Sequence, residues 1–346
     1  MTRLAEQSIT EFYSYPPVGD DDWRYTFETA QVRAMETQML SRAALLDMAN
    51  APGFDQAADI LAATEYALPQ TSRNSAELES MLLGRRFAIR QLFSNLCIDR
   101  AVVALFRTRD DFANLRLALR RMLTQKPIGT DYSNEGNIPA VQYEQIFGEN
   151  AARLEEMPKY FQQAVELAVL AYYQKKDVRQ IDNALDSFQA RYNLNRACEL
   201  GSLFLVGLFR IQIDLINIRT LLRLKFAESE QPKLFLEGGY IKLDRLESAL
   251  TRGYDAIASL FFATPYSQVV EAGTSYLNSD RSFLKIERHC EQYLNGFLRT
   301  TGSITAGPQP IIAYLLMKEN EIRTVRLILT AKKNSLDTKL ILDRIS

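Results

Sequence analysis

The chain has 346 residues, with 41 Lys and Arg against 42 Asp and Glu, so its formal net charge is −1. That balance argues against a nucleic-acid protein and against a polybasic membrane-surface binder. An apolar fraction of 47% with 24% charged residues excludes disorder as the main state. The length suggests two or three domains.

The first 24 residues, running through Pro16-Pro17 to the acidic Asp20-Asp21-Asp22 and Trp23, have no apolar stretch of the secretory type. They read as a loose extension. The longest apolar runs, such as Leu203–Phe209 and Ile311–Met317, hold seven residues. A membrane span needs about 18, so a soluble chain without a direct span is expected. No Gly or Pro lies between Gly84 and Pro127, or between Pro158 and Gly201. Both stretches are rich in Leu, Ala, Arg, Glu and Gln, which favour helix. Each exceeds a usual globular helix, so breaks and hairpins are expected within them, with Asp110-Asp111 as a helix start in the first. Short extended pieces are expected near Asn137-Ile138-Pro139 and Gly239-Tyr240-Ile241. Pro308 and Pro310 open a last long helix whose stripe is Ile312, Leu315, Leu316, Ile322, Val325, Ile328 and Leu329. Sustained period-2 alternation is nearly absent. The fold class is all-α.

An internal repeat is the strongest signal. At an offset of 103, Val103, Leu105, Phe106 and Arg107 meet Val206, Leu208, Phe209 and Arg210. Asp111, Asn114, Arg116, Leu119 and Arg120 meet Asp214, Asn217, Arg219, Leu222 and Arg223, and Gly136 and Ile138 meet Gly239 and Ile241. These are eleven identities over 39 ungapped positions, where chance gives about two or three. A fainter third core, Glu319-Asn320-Glu321-Ile322-Arg323, follows 104 residues later. Ala-Thr-x-Tyr recurs at Tyr66 and Tyr266, and Tyr160 marks the middle copy. The reading is an N-terminal extension over 1–24 and three helical units over 25–130, 131–234 and 235–346. Three like units suggest a pseudo-threefold funnel or socket.

Chemistry-bearing motifs are weak. Asp110, Asp111 and Asn114 share a helix face and have the flavour of a Mg²⁺–diphosphate motif, because hard cations want clustered carboxylates. The second copy loses the paired acid, and Arg191 stands where a partner motif with Asn183 and Ser187 needs one. The structural reading places Phe112, Leu115, Ala118, Leu119 and Met122 on an interior face. Asp111 and Asn114 lie at its edge, and Arg116 and Arg120 beyond it. A buried Asp or Asn must be hydrogen-bonded or costs about 1–3 kcal/mol, so these residues tie helices or cap a turn. No phosphate loop exists: Gly302 and Gly307 have the spacing, but Pro308-Gln309 follows. The single histidine, His289, and three scattered cysteines, Cys97, Cys198 and Cys290, form neither an HExxH site nor a C-x-x-C pair. Reduced thiols fit a cytosolic setting. Gly238-Gly239 reads as a turn with positive φ.

Taken in order, these pieces resemble the C-subunit family of the archaeal and bacterial V-type (A-type) ATPase/ATP synthase, whose eukaryotic vacuolar member is called d. The resemblance rests on the helix from Val32-Arg33-Ala34-Met35-Glu36 to Thr64-Glu65-Tyr66, the two D-x-x-N-[LI]-R cores, and Phe235 to Ile241. It ends on the Pro310–Arg326 run, with Lys332 beyond. It implies a non-catalytic rotor part with no cofactor or metal and three similar helical domains. Such a part couples the membrane rotor ring (its proteolipids) to the D and F subunits of the central stalk, transmits torque, and sits on the cytoplasmic side, peripheral to the membrane. The fold-forming motif residues carried over are Asp111, Asn114, Arg116, Arg120, Asp214, Asn217, Arg219, Arg223, Glu319, Glu321, Arg323 and Arg326. The third core departs by carrying Lys318 and Glu321 where the others carry Asp and Asn, and the extension over 1–24 lies outside the motif set. The competing readings are an unrelated helical scaffold or adaptor and a helical Mg²⁺–diphosphate enzyme.

Overall fold

Helix-favouring composition and well-placed stop signals produce fifteen α-helices in the computed structural model, which describes residues 15–124, 131–147, 151–229 and 234–345. The first four are α1 (Thr26–Glu36), α2 (Arg42–Asn50), α3 (Phe54–Asp59) and α4 (Ser75–Leu96). Then come α5 (Arg100–Thr124), α6 (Ala140–Phe147), α7 (Lys159–Lys175), α8 (Arg179–Glu199), α9 (Leu203–Phe226) and α10 (Leu243–Leu250). The last are α11 (Tyr254–Phe261), α12 (Ser267–Asp280), α13 (Leu284–Arg299), α14 (Pro308–Lys333) and α15 (Thr338–Ile345). No strand occurs among the described residues.

Local chemistry sets the boundaries. The Ser41, Asn74 and Ser202 side chains accept backbone N–H groups at the starts of α2, α4 and α9, as N-caps do. The Gly/Pro-free stretch before Gly201 breaks as expected, into α7 and α8, where Lys176 adopts φ 53°. The stretch before Pro127 breaks elsewhere than expected. Helix α5 passes unbroken through Asp110-Asp111, and the interruption lies at residues 97–99. There the Asp99 carbonyl takes the Val102 and Val103 N–H groups. Asp111 does not start a helix because its carboxylate is occupied by a downstream loop. The expected extended pieces at 137–139 and 239–241 are bends, whose N–H groups go to side chains and not to a neighbouring strand.

The chain divides into two compact units, residues 99–250 and residues 15–98 joined with 251–345. In the first, α5 packs on α6 and α8, α8 on α7 and α9, and α9 on α10. Phe112, Leu115, Leu119, Tyr143, Phe161 and Ile181 form part of its core. Met122 lies at that core's edge. Helix α9 is buried on nearly every side, from Phe204 to Leu224, as an all-round apolar helix must be. In the second unit α14 is the axis: α1, α2, α3, α4 and α13 all pack on it. Its stripe is buried as predicted, apart from a half-buried Leu316.

Part of the expected N-terminal extension, residues 1–14, lies outside the described residues, as do 125–130 and 230–233 at the unit boundaries read from the repeat. Residues 15–24 are held, not loose. The Asp21 carboxylate accepts the Thr305 and Ala306 N–H groups, Asp22 donates its N–H to the Ala306 carbonyl, and Gln309 donates to the Val18 and Asp20 carbonyls. No described helix is long and apolar enough to cross a membrane.

Candidate functional site

The repeated Asp and Asn occupy equivalent positions on two core helices, α5 and α9, and each ties its helix to the loop that follows. Asn114 accepts the Ser133 N–H at 2.8 Å and donates to the Ser133 carbonyl at 2.8 Å. Asn217 does the same to Leu236, at 2.7 and 2.8 Å. An amide is suited to this task because it carries a donor and an acceptor together and so satisfies both backbone groups of one residue. One turn earlier, Asp111 accepts the Ile138 N–H at 3.0 Å, the Asn137 amide at 2.9 Å and the Tyr160 hydroxyl at 2.9 Å. Asp214 accepts the Tyr240 and Ile241 N–H groups at 2.9 and 3.0 Å. All four side chains are buried.

Two repeated glycines permit this approach. A Cβ on Gly136 would lie 2.3 Å from Asp111 Oδ1, and one on Gly239 would lie 2.0 Å from Asp214 Oδ1. Neither glycine is needed for positive φ. In the Gly238-Gly239 pair only Gly238, at φ 99°, has that conformation. The sequence therefore located the right pair, but close approach accounts for the second glycine.

The third core on α14 performs the task with different residues. Glu321 stands in the Asn register and accepts the Leu40 N–H at 2.6 Å. Its other oxygen accepts the Tyr66 hydroxyl at 2.7 Å and the Lys318 ammonium at 2.5 Å. Lys318 stands in the Asp register and also pairs with Glu65. The loop tied by this core belongs to the N-terminal part of the chain.

Burial and the adjacent carboxylates raise the phenols of Tyr66, Tyr143 and Tyr160 well above the ordinary tyrosine range, so they remain donors. Burial pushes Tyr240 up to about 12, against the lowering effect of the Arg210 guanidinium, which lies 4.0 Å from the ring centroid and donates to the Gly239 carbonyl at 3.1 Å. Burial works against the Lys318 ammonium, but hydrogen bonds to Glu321 and Glu65 outweigh it and hold the group above the usual lysine value.

The repeated arginines do not share one role. Arg116 pairs with Asp182 and Asp186 on α8, and Arg120 pairs with Asp182. Arg219 donates to the Leu215 carbonyl of its own helix at 3.1 Å, and the structure brings Arg223 to the exposed side of α9. On α14, Glu319 pairs with Arg90 at 2.8 Å, Arg323 with Glu291 at 3.5 Å and Arg326 with Glu79 at 3.0 Å. Sequence reasoning missed the acids on α8 and the phenol donors. The recurrence of Tyr66 and Tyr160 was the signal for the donors.

The geometry does not favour a diphosphate enzyme. Asp111 already accepts a backbone N–H, an amide and a phenol, which a cation would have to displace. Among the described residues no group of three or more His, Cys, Asp or Glu side chains is placed to hold a metal ion.

Comparison with known proteins places this architecture. The sequence model of the ATP synthase (C/AC39) subunit family matches residues 29–344. The chain is 25% identical over 325 residues to the C subunit of the A-type ATP synthase of Thermococcus onnurineus, covering 88% of this chain and 86% of the relative. It is 21% identical over 319 residues to the C subunit of the V-type sodium ATPase of Enterococcus hirae, covering 90% and 95%. It is 26% identical over 183 residues to the C subunit of the A-type ATP synthase of Methanococcoides burtonii, covering half of each chain.

Proposed function

The chain belongs to the ATP synthase (C/AC39) subunit family, and from that premise we propose that it is a non-catalytic central-stalk subunit of a V/A-type ATP synthase or ATPase. It couples the membrane rotor ring to the central shaft, built of the D and F subunits, and transmits torque during ion-coupled ATP synthesis or hydrolysis. It works peripheral to the membrane on the cytoplasmic side and turns over no substrate itself. Its three like helical domains, read from the repeat over 25–130, 131–234 and 235–346, form a pseudo-threefold socket, with residues 25–66 supplying the loop that α14 ties.

The observation that carries this reading is the triple use of one device. Each core helix is pinned to a loop by a buried side chain at the same register: Asn114 to Ser133, Asn217 to Leu236 and Glu321 to Leu40. A part that passes torque must resist sliding of its helices. Apolar packing is non-directional, whereas a buried hydrogen bond to a fixed N–H has one geometry and is costly to leave unmade.

The test is capture of the tagged chain from gently solubilised native membranes, with partners identified by mass spectrometry. Recovery of the D and F stalk subunits with ring or head subunits supports the assignment. Recovery of none of them sinks it and favours a scaffold or adaptor role outside a rotary ATPase. The isolated chain should hydrolyse no ATP.

A further inference from the structure

Two clefts occupy matching places in the repeat. Helices α8 and α9 with residues 234–236 line one of about 430 Å³. Helices α13 and α14 with residues 39, 40, 42 and 45, and the end of α15, line another of about 510 Å³. Leu236 and Leu40 mark the shared register, since each gives its N–H to the anchor on the core helix. On the core helices, Ile213, Ile216 and Thr220 of the first cleft correspond at a step of 104 to Met317, Asn320 and Thr324 of the second.

Charge separates the two. Among the described residues, Asp186 is the only ionisable one lining the first cleft. The second is lined by Arg42, Arg288, Arg299 and Arg344 against Glu291 and Glu321, so 4 − 2 leaves +2. Both acids are already neutralised: Arg344 holds Glu291 with both guanidinium nitrogens, and Lys318, from outside the lining, holds Glu321. Arg42 and Arg299 form no ion pair among the described residues.

We propose that the α13/α14 cleft binds a small oligophosphate anion. A guanidinium keeps its charge at any ordinary pH, and its planar fork matches phosphate oxygens. Arg42 and Arg299, lining one cavity with no carboxylate paired to either among the described residues, repel one another until an anion lies between them. The volume falls within the range of about 300–1,000 Å³ usual for small-molecule sites. Half-buried Met39, Leu45 and Met317 offer an apolar wall, and Asn295 and Asn320 add neutral polar groups beside it. Sodium tripolyphosphate presents the charge alone, and ATP presents it on a nucleoside that the apolar wall would cover.

The test is calorimetric titration of the full chain with tripolyphosphate and with ATP, both without Mg²⁺, at about 0.15 M salt, where long-range attraction is screened. One site per chain is expected. Arg42→Gln and Arg299→Gln should each weaken binding about tenfold, while Arg245→Gln on α10 leaves it unchanged. Both cleft arginines are exposed, and unchanged melting curves confirm intact folds. Tighter binding of ATP assigns the site to nucleoside phosphates, and equal binding assigns it to a bare phosphate chain. Absence of binding to either probe overturns the proposal, and so does equal weakening by Arg245→Gln.

Discussion

Tyr66 and Glu321 stand 255 residues apart in sequence and 2.7 Å apart in the fold, where the phenol donates to the carboxylate. Tyr160 donates to Asp111 in the same manner at 2.9 Å. The two contacts differ in what remains after the phenol is removed. Asp111 keeps one backbone N–H, one amide and a second phenol, that of Tyr143 at 3.4 Å, whereas Glu321 keeps Leu40 and Lys318 but no phenol. Hydrogen bonds to charged groups contribute about 1.5–3 kcal/mol. Tyr66→Phe should therefore lower stability by about that amount and Tyr160→Phe by less, read from urea midpoints. Equal midpoints for wild type and Tyr66→Phe would show that the long-range tie carries no stability.

These buried phenols also make stability depend on alkaline pH. Tyr66, Tyr143 and Tyr160 are raised far above the unfolded value of about 10, and burial lifts Tyr240 to about 12. Above pH 10 the unfolded chain releases protons that the folded chain retains, so stability falls as pH rises. Their contribution is fully present below pH 10 and is lost progressively from there, through pH 12 for Tyr240. Thermal melts from pH 8 to 11.5 should show a flat region followed by a decline. Tyr66→Phe should reduce the slope above pH 10. A variant slope equal to the wild-type slope would remove Tyr66 from this account.

Much of the fold was legible because helix formers and Gly/Pro punctuation are local signals. The all-α class, the α7/α8 break and the α14 stripe follow from neighbouring residues alone. The α5 start was misread because an Asp that caps a helix and an Asp that grips a distant loop look alike in sequence. The repeat exposed Asp111, Asn114, Asp214 and Asn217 together with Gly136 and Gly239, because those residues meet each other in both copies. It could not reveal that Arg116 seeks acids on α8 while Arg219 turns back to the Leu215 carbonyl of its own helix, since the acids that Arg116 finds lie outside the repeated core. The third anchor was the hardest to see. Its loop is encoded at the other end of the chain, and its Lys and Glu reverse the chemistry of Asp and Asn.

That reversal predicts strong coupling. Lys318 and Glu321 are nearly inaccessible, at 6% and 4% side-chain exposure, and 2.5 Å apart. Removing one partner of a buried pair leaves an uncompensated charge and costs about 3–5 kcal/mol. Glu321→Ala should fall in that range, because Lys318 would keep only the more exposed Glu65 and the Leu40 N–H would lose its acceptor. Lys318→Met combined with Glu321→Gln should cost clearly less than the sum of the single changes, because no lone charge remains. Additive losses across this double-mutant cycle would mean that the two groups do not act as a pair.

The sharpest test of the anchor geometry is Gly239→Ala. A methyl there would sit 2.0 Å from Asp214 Oδ1 and 3.2 Å from Ile213 Cγ2. The carboxylate cannot simply swing aside, because the Tyr240 and Ile241 N–H groups hold both of its oxygens. Either the loop retreats and those N–H groups lose their acceptor, or the buried carboxylate loses its donors. Overpacking and unmet hydrogen bonds each cost about 1–3 kcal/mol, so a loss of about 2–4 kcal/mol is expected. Asp214→Ala should also destabilise, by about 1–3 kcal/mol, because two buried N–H groups go unmet. In the double variant the methyl occupies space that the carboxylate has vacated. Gly239→Ala should then cost less than about 1 kcal/mol further, a coupling that chemical denaturation of the four proteins would reveal. If Gly239→Ala cost the same with and without Asp214, steric approach to the carboxylate would not be the reason for the glycine.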